Sequence, residues 1–276
     1  MESFFFIPAT NVDKLDFIKS FGSADIIIDF EDSVLEINRK ELLNKALSLS
    51  DQNLWFRIPI RNESDDRLNI DLLNSFLIAG KKKFVIPKIY SKIEFDDIYT
   101  SHLSKYPDLK LILLIEHPRL IVELVQILQS QYADILVGIG IGSHDLMNYI
   151  KAEHNEEQLY FPRINVLYLA KAYNKISIDI ASMNISNKQL FNEELKFGIR
   201  NGFDAKFLIH PNQLMWLNGF DELKNEHIEW AKQIMAALPS NFKGKEIEPF
   251  ILNGEVIEKP HVEKAQLILK QYQDEK

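Results

Sequence analysis

The stretch Leu111-Ile112-Leu113-Leu114-Ile115-Glu116 puts a carboxylate directly after an unbroken apolar run. The pattern returns in Ile135-Leu136-Val137-Gly138-Ile139-Gly140-Ile141-Gly142-Ser143-His144-Asp145. Short runs of this kind read as strands buried on both faces, the habit of parallel sheets. Working outward, similar runs occur at Phe4 to Ile7, Ile26 to Ile28, Leu54 to Ile58, Phe84 to Ile86, Ile176 to Ile178 and Phe207 to Ile209. At or just past the run ends stand Asp29-Phe30-Glu31-Asp32, Arg57, Lys88, Glu116, Asp145 and His210-Pro211. Helical periodicity fills several gaps: Val34 to Leu49, Ile70 to Ala79, Leu120 to Tyr132, Asn165 to Tyr173 and Asn192 to Gly202, the last ending on a glycine stop. Eight strand–helix units predict an α/β protein, a (β/α)8 TIM barrel. An open doubly wound sheet is the alternative. The 276 residues compare with roughly 250 for such a barrel. A barrel would gather all these strand ends into one ring.

The barrel domain is expected over residues 1–220 and a C-terminal helical extension over 221–276. In the extension, Glu222 to Leu238 reads as a helix. A polar, Gly-containing stretch follows from Pro239 to Gly254, then a final helix from Val262 to Gln273. The extension would serve as a lid over the barrel mouth or as an arm to a neighbouring subunit.

Composition narrows the function classes. The chain is 46% hydrophobic and 26% charged, ordinary for a globular protein. Its net charge of −8 gives no support to a nucleic-acid partner. It has no cysteine, which excludes disulfides, thiol catalysis and thiolate metal sites. The start, Met1-Glu2-Ser3-Phe4, has an acid where a signal peptide carries a base. No run approaches the roughly 18 apolar residues of a spanning helix. The expectation is a cytoplasmic protein without a membrane partner.

Chemistry is concentrated at the strand ends. Glu116 and Asp145, after adjacent strands, would make an oxygen-rich site for a hard cation; Mg²⁺ takes one or two carboxylates, several waters and substrate oxygens. A strand-end acid can equally be a helix cap or an ion-pair partner. Gly138, Gly140 and Gly142 read as a turn that lets backbone approach a ligand closely. A dinucleotide fingerprint is not formed, because no helix-opening G-x-G-x-x-G follows the first strand. Arg57 suits carboxylate binding and oxyanion neutralisation. Lys88 could hold a carboxylate or phosphate, and a Schiff-base role is open to it. Lys81, Lys82 and Lys83 precede a strand and read as a solvated cluster on the opposite face. His210 reads as a ligand, a base or a structural hydrogen-bonding group.

Taken in order, Phe6-Ile7-Pro8-Ala9, Asp25 to Val34, Phe56-Arg57-Ile58, Ile86-Pro87-Lys88, Leu114-Ile115-Glu116, Gly142 to Leu146, Asn201 to Gln213 and Gly254 to Glu258 carry a resemblance. They resemble the citrate lyase β subunit and the CitE-like acyl-CoA lyases, within the HpcH/HpaI aldolase group of phosphoenolpyruvate/pyruvate barrels. The resemblance implies a Mg²⁺-dependent lyase, a homotrimer or hexamer, with Glu116 and Asp145 as metal ligands. Arg57 would be catalytic and bind the substrate oxygen, with Lys88 and Gly142 also lining the substrate. Asp29, Glu31 and Asp32 would hold positioning roles behind them. The implied reaction is reversible carbon–carbon cleavage of a citryl-, malyl- or citramalyl-like 3-hydroxyacyl thioester on CoA or acyl-carrier protein, through a metal-stabilised enolate. The family's catalytic Asp, supplied by a neighbouring subunit, aligns with Glu258. His117 and His144 also depart from the family pattern and bring bulk toward the pocket. Two other readings stand beside this one: a 2-keto-acid aldolase acting on free acids, and a barrel that binds a ligand or partner without catalysis.

Overall fold

The computed structural model describes residues 1–51, 53–220, 222–238 and 247–273. Eight parallel strands close on themselves in sequence order. They are β1 (Glu2–Pro8), β2 (Asp25–Asp29), β3 (Trp55–Arg57), β4 (Lys83–Ile86), β5 (Lys110–Ile115), β6 (Leu136–Ile141), β7 (Ile176–Asp179) and β8 (Ala205–Leu208). β1 pairs with β8 through Phe4 and Phe207, which completes the ring. The fold is therefore the (β/α)8 barrel, and the open sheet is excluded.

Alternation along each strand fills the barrel from within. Phe4, Trp55, Val85, Ile112, Leu114, Ile178, Ala205 and Phe207 form the interior cluster. Gly138 and Gly140 are strand residues of β6 rather than a turn. A Cβ on Gly140 would stand 2.3 Å from the Phe207 ring. These glycines make room for interior side chains, so their close approach is to the core and not to a ligand.

Helices cover the outside. α1 (Leu15–Lys19) is followed by α2 (Glu36–Leu47), α3 (Asp71–Ile78), α4 (Lys92–Ile98) and α5 (Pro118–Leu128). Then come α6 (Ser143–Ile150), α7 (Glu156–Ala172), α8 (Lys188–Asn201) and α9 (Pro211–Asn218). α7 begins well before the periodicity suggests, because Asn155 caps it by accepting from the Gln158 N–H, and Pro162 lies inside it. α8 stops at Gly202, whose φ of +94° is the left-handed C-terminal stop. Lys81 is not solvated: it is buried and donates to the Leu49 carbonyl at 2.7 Å.

Residues Met1–Asn218 form one compact unit and Gly219–Lys276 a second. The second unit contains α10 (Glu222–Ala237), a hairpin of β9 (Phe250–Leu252) and β10 (Glu255–Ile257), and α11 (Lys259–Gln273). Its own core includes Ala231, Ile234, Ile257, Val262 and Ala265. The hairpin replaces part of the stretch read as merely polar. Asn253 and Gly254 both have positive φ, +52° and +86°, as a two-residue Asn-Gly turn requires. Residues 239–246 of that stretch lie outside the described residues. Among the described residues, no helix is long and apolar enough to cross a membrane.

Candidate active site

The C-terminal ends of the strands open into a cavity of about 350 Å³. Asp29, Asp32, Arg57, Glu116, Gly142 and Asp145 line it, together with Phe6, Ser143, His144 and Phe207. Glu31 and Lys88 line an adjoining cavity of about 450 Å³ that shares Asp32. Residues distant in sequence thus meet because parallel strands point the same way.

Arg57, at the end of β3, is the hub. Its Nε and Nη2 donate to the two oxygens of Asp29 at 2.7 and 2.8 Å. Its Nη1 lies 3.0 Å from Glu31 and 3.3 Å from Asp32. The guanidinium carbon stands 4.9 Å from the centre of the Phe6 ring. Burial alone would raise the Asp29 pKa, but the charge and hydrogen bonds of Arg57 win and hold it below the usual range. Burial opposes the charge on Arg57 too; Asp29 and then Glu31 outweigh it, so Arg57 stays firmly protonated.

Lys88 reaches the same acids. Its Nζ is 3.0 Å from Glu31 and 3.3 Å from Asp32. Burial pushes Glu31 up to about 7; Arg57 and Lys88 pull against the rise, and Asp32 adds to it. Burial also opposes the charge on Lys88, but Glu31 and Asp32 raise its pKa overall. These carboxylates favour the ammonium form of Lys88, whereas a Schiff-base nucleophile must be neutral.

Glu116 follows β5 and is 3% exposed. Its Oε2 accepts the Lys88 backbone N–H at 2.6 Å. Burial raises its pKa well above normal, and the charges of Glu31 and Asp145 raise it further. Gly142 explains the fit of the next strand: a Cβ there would stand 2.3 Å from Glu116 Cγ and from Oε1. Asp145 lies in the first turn of α6 and faces the same cavity. Among the described residues, no three His, Asp or Glu side chains converge as a complete metal cage. Buried Glu116 and half-buried Asp145, facing one open cavity, nevertheless suit a cation that takes its remaining ligands from water and substrate, as Mg²⁺ does.

Other residues have local partners. Glu258 belongs to the second unit, is exposed, and its backbone N–H donates to His261 Nδ1 at 3.0 Å. His210 Nδ1 accepts the Asn212 N–H at 3.2 Å, a local hydrogen bond of the structural kind. His117 does not line the main cavity. It caps α5 by accepting the Arg119 N–H and packs beside Tyr90 and Tyr149. Two features were invisible to sequence reasoning. His154 Nε2 lies 2.9 Å from Ser143 Oγ, and its ring stacks on His144 at 3.7 Å and 3°. Arg61 also enters the site's framework, without any spacing signal to announce it.

The comparisons accord with this geometry. Residues 2–211 match the family model described as HpcH/HpaI aldolase/citrate lyase. The chain belongs to that family. It is 26% identical over 282 residues to the citrate lyase subunit beta of Haemophilus influenzae, covering 97% of this chain and 95% of that one. It is 25% identical over 273 residues to a (3S)-malyl-CoA thioesterase of Cereibacter sphaeroides, covering 97% and 93%. Among solved structures, CitE of Mycobacterium tuberculosis in complex with magnesium, acetoacetate and coenzyme A superposes with a TM-score of 0.79. At 21% identity, over 98% of this chain and 97% of that one, the likeness shows the fold.

Proposed function

We propose that this protein is a Mg²⁺-dependent carbon–carbon lyase acting on a carboxylated 3-hydroxyacyl thioester. The observation that carries this reading is the convergence of buried Glu116 and of Asp145 on the Arg57 cavity. Glu116 and Asp145 would hold the cation. When bound, Mg²⁺ supplies positive charge to the oxygen that becomes an enolate as the carbon–carbon bond breaks.

The chain's own residues do the rest. Arg57, with Nε and Nη2 locked by Asp29, would offer Nη1 to a substrate carbonyl or carboxylate in place of Glu31 and Asp32, its orientation set before the reaction. Lys88 balances Glu31 and Asp32, and Gly142 lets backbone border the substrate. Asp29, Glu31 and Asp32 act by holding the two cationic side chains. Glu258, on a neighbouring copy in a homotrimer or hexamer, is assigned the proton transfer. Its arm is one methylene longer than the family's aspartate. The carrier would be CoA or acyl-carrier protein.

The thioesterase relative supports a second reading, in which the same site hydrolyses the thioester. One assay separates the possibilities. Citryl-, malyl- and citramalyl-CoA are offered beside 4-hydroxy-2-keto acids, with Mg²⁺ or with EDTA. The lyase reading expects acetyl-CoA, with the matching 2-keto acid, only with Mg²⁺. It expects Glu116→Gln to lower turnover by about 10³-fold, the scale of losing one strong transition-state stabiliser, with the fold retained. Free CoA thiol would favour the hydrolase, and cleavage of the free acids alone would favour the aldolase. Full activity in EDTA, or in Glu116→Gln, would overturn the metal assignment. A folded protein that neither binds Mg²⁺ nor turns over any member of the panel would favour the non-catalytic barrel.

A further inference from the structure

We propose that Arg61 is a positioning residue for Glu116 and acts on it through Lys88. The inference rests on the reading of Glu116 as a metal ligand. Lys88 has a φ of +51°, in the left-handed region that residues with a Cβ disfavour. Such a conformation persists only where the surroundings fix it. Three groups of this one residue are each tied to a different wall. The backbone N–H donates to Glu116 Oε2 at 2.6 Å. The Nζ meets Glu31 at 3.0 Å. The carbonyl accepts from Arg61 Nε at 2.8 Å.

The third tie decides the first. Glu116 holds the N-terminal side of Lys88, and Arg61 holds its carbonyl on the other side of Cα. With both ends pinned, the N–H has one direction to point. If the carbonyl is released, the residue can relax toward negative φ and turn that N–H away from the carboxylate.

Arg61 is built to hold rather than to bind. Its Nη1 donates to the Asp66 carbonyl at 2.7 Å and its Nη2 to Glu94 Oε1 at 2.6 Å. Its guanidinium stacks 3.8 Å over the Tyr90 ring, and the other oxygen of Glu94 accepts the Tyr90 N–H at 2.8 Å. All three nitrogens are engaged, and the side chain is 8% exposed. It therefore ties the loop after β3, which follows Arg57, to the loop after β4, which carries Lys88, and to Glu94 of α4. A lysine has no planar fork and could not reproduce the set.

The test uses the full chain and the variants Arg61→Leu and Arg61→Lys, each alone and in a Lys88→Gly background. Glycine accepts positive φ without steric cost, so the carbonyl tie matters less there. Two quantities are read: hydrogen exchange at the residue 88 amide without metal, and Mg²⁺ affinity by calorimetry. With Lys88 present, both Arg61 variants are expected to speed amide exchange at least about tenfold. They should also weaken Mg²⁺ binding by about tenfold, the lower end for groups that orient a metal ligand. In the Lys88→Gly background, the Arg61 effects should shrink to within about twofold. Unchanged exchange, or equal losses in both backgrounds, would overturn the proposal, and a general loss of stability would give those equal losses. If the unmodified protein binds no Mg²⁺ while exchange responds as expected, the metal reading fails and the positioning of Glu116 stands. Arg61→Lys serves if Arg61→Leu does not fold.

Discussion

Two clusters of charge share the barrel wall, and they are built oppositely. At the mouth, the carboxylates Asp29, Glu31, Asp32, Glu116 and Asp145 surround two cations, Arg57 and Lys88. Between barrel and helices, Arg163 of α7 and Lys206 of β8 surround a single carboxylate, Asp179 of β7. There Arg163 donates twice to Asp179 at 2.9 and 2.8 Å, and Lys206 donates to the Ile180 carbonyl at 2.8 Å. The Arg163 guanidinium also lies 3.8 Å over the Phe197 ring. All three side chains are at most 1% exposed. In the mouth, by contrast, the buried oxygens of Glu31 have ion-pair neighbours but none in hydrogen-bonding geometry. Scaffold charge is satisfied within the chain. Site charge is left in negative excess, the condition in which an incoming cation or a cationic group is most favoured.

The contrast can be broken by experiment. The largest effect is expected from Arg163→Met, which leaves Asp179 buried with only distant help from Lys206 at 3.4 Å. Loss of about 3–5 kcal/mol is expected in denaturant unfolding, the usual result of removing one partner of a buried pair. A loss below about 1 kcal/mol would show that the cluster is not structural.

Next in size is a pH effect at the mouth. The folded pKa of Glu31 is raised to about 7, whereas an unfolded glutamate titrates near 4.3. The folded state therefore binds the proton more tightly. The stability this gives is full below about pH 4 and is lost as pH rises to 7, by up to about 3 kcal/mol. In metal-free protein, Glu31→Gln should flatten that part of the stability–pH curve. An unchanged slope would mean that Glu31 is ionised throughout.

The smallest effects compare two glycines. Gly140→Ala would press on Phe207, and Gly142→Ala on Glu116, each at 2.3 Å. Both should cost about 1–3 kcal/mol in stability, as overpacking does. Only Gly142→Ala should also weaken Mg²⁺ binding in calorimetry. Equal Mg²⁺ affinities in the two variants would remove the distinction between core and site along β6.

The strand ends were legible because burial on both faces demands continuous apolar runs, and the residues after them stand out by contrast. Glu116, Arg57 and Asp145 could be picked out that way, and the cavity brings them together. Gly138 and Gly140 were misread as a turn, since a glycine that makes room for an interior phenylalanine looks in sequence like one that bends the chain. The hairpin at Asn253-Gly254 carried a readable turn signal. Arg61 and His154 carried none, because the groups that fix their roles, the Lys88 carbonyl and Glu94 for one and Ser143 and His144 of α6 for the other, are brought to them by folding.

By itself, the sequence determined the order of strands and helices and the list of groups delivered to the mouth. Periodicity and apolar runs are local properties, and the parallel crossover rule turns them into a ring. The tertiary structure alone decided how those groups divide their work. Arg57 is clamped by Asp29, Lys88 is held at positive φ by its three ties, and the Glu116 pKa is raised by burial and then by Glu31 and Asp145. These effects depend on distances of a few ångströms between Asp29, Glu31, Arg57, Lys88, Glu116 and Asp145, which stand at the ends of several strands, and no spacing along one strand encodes them.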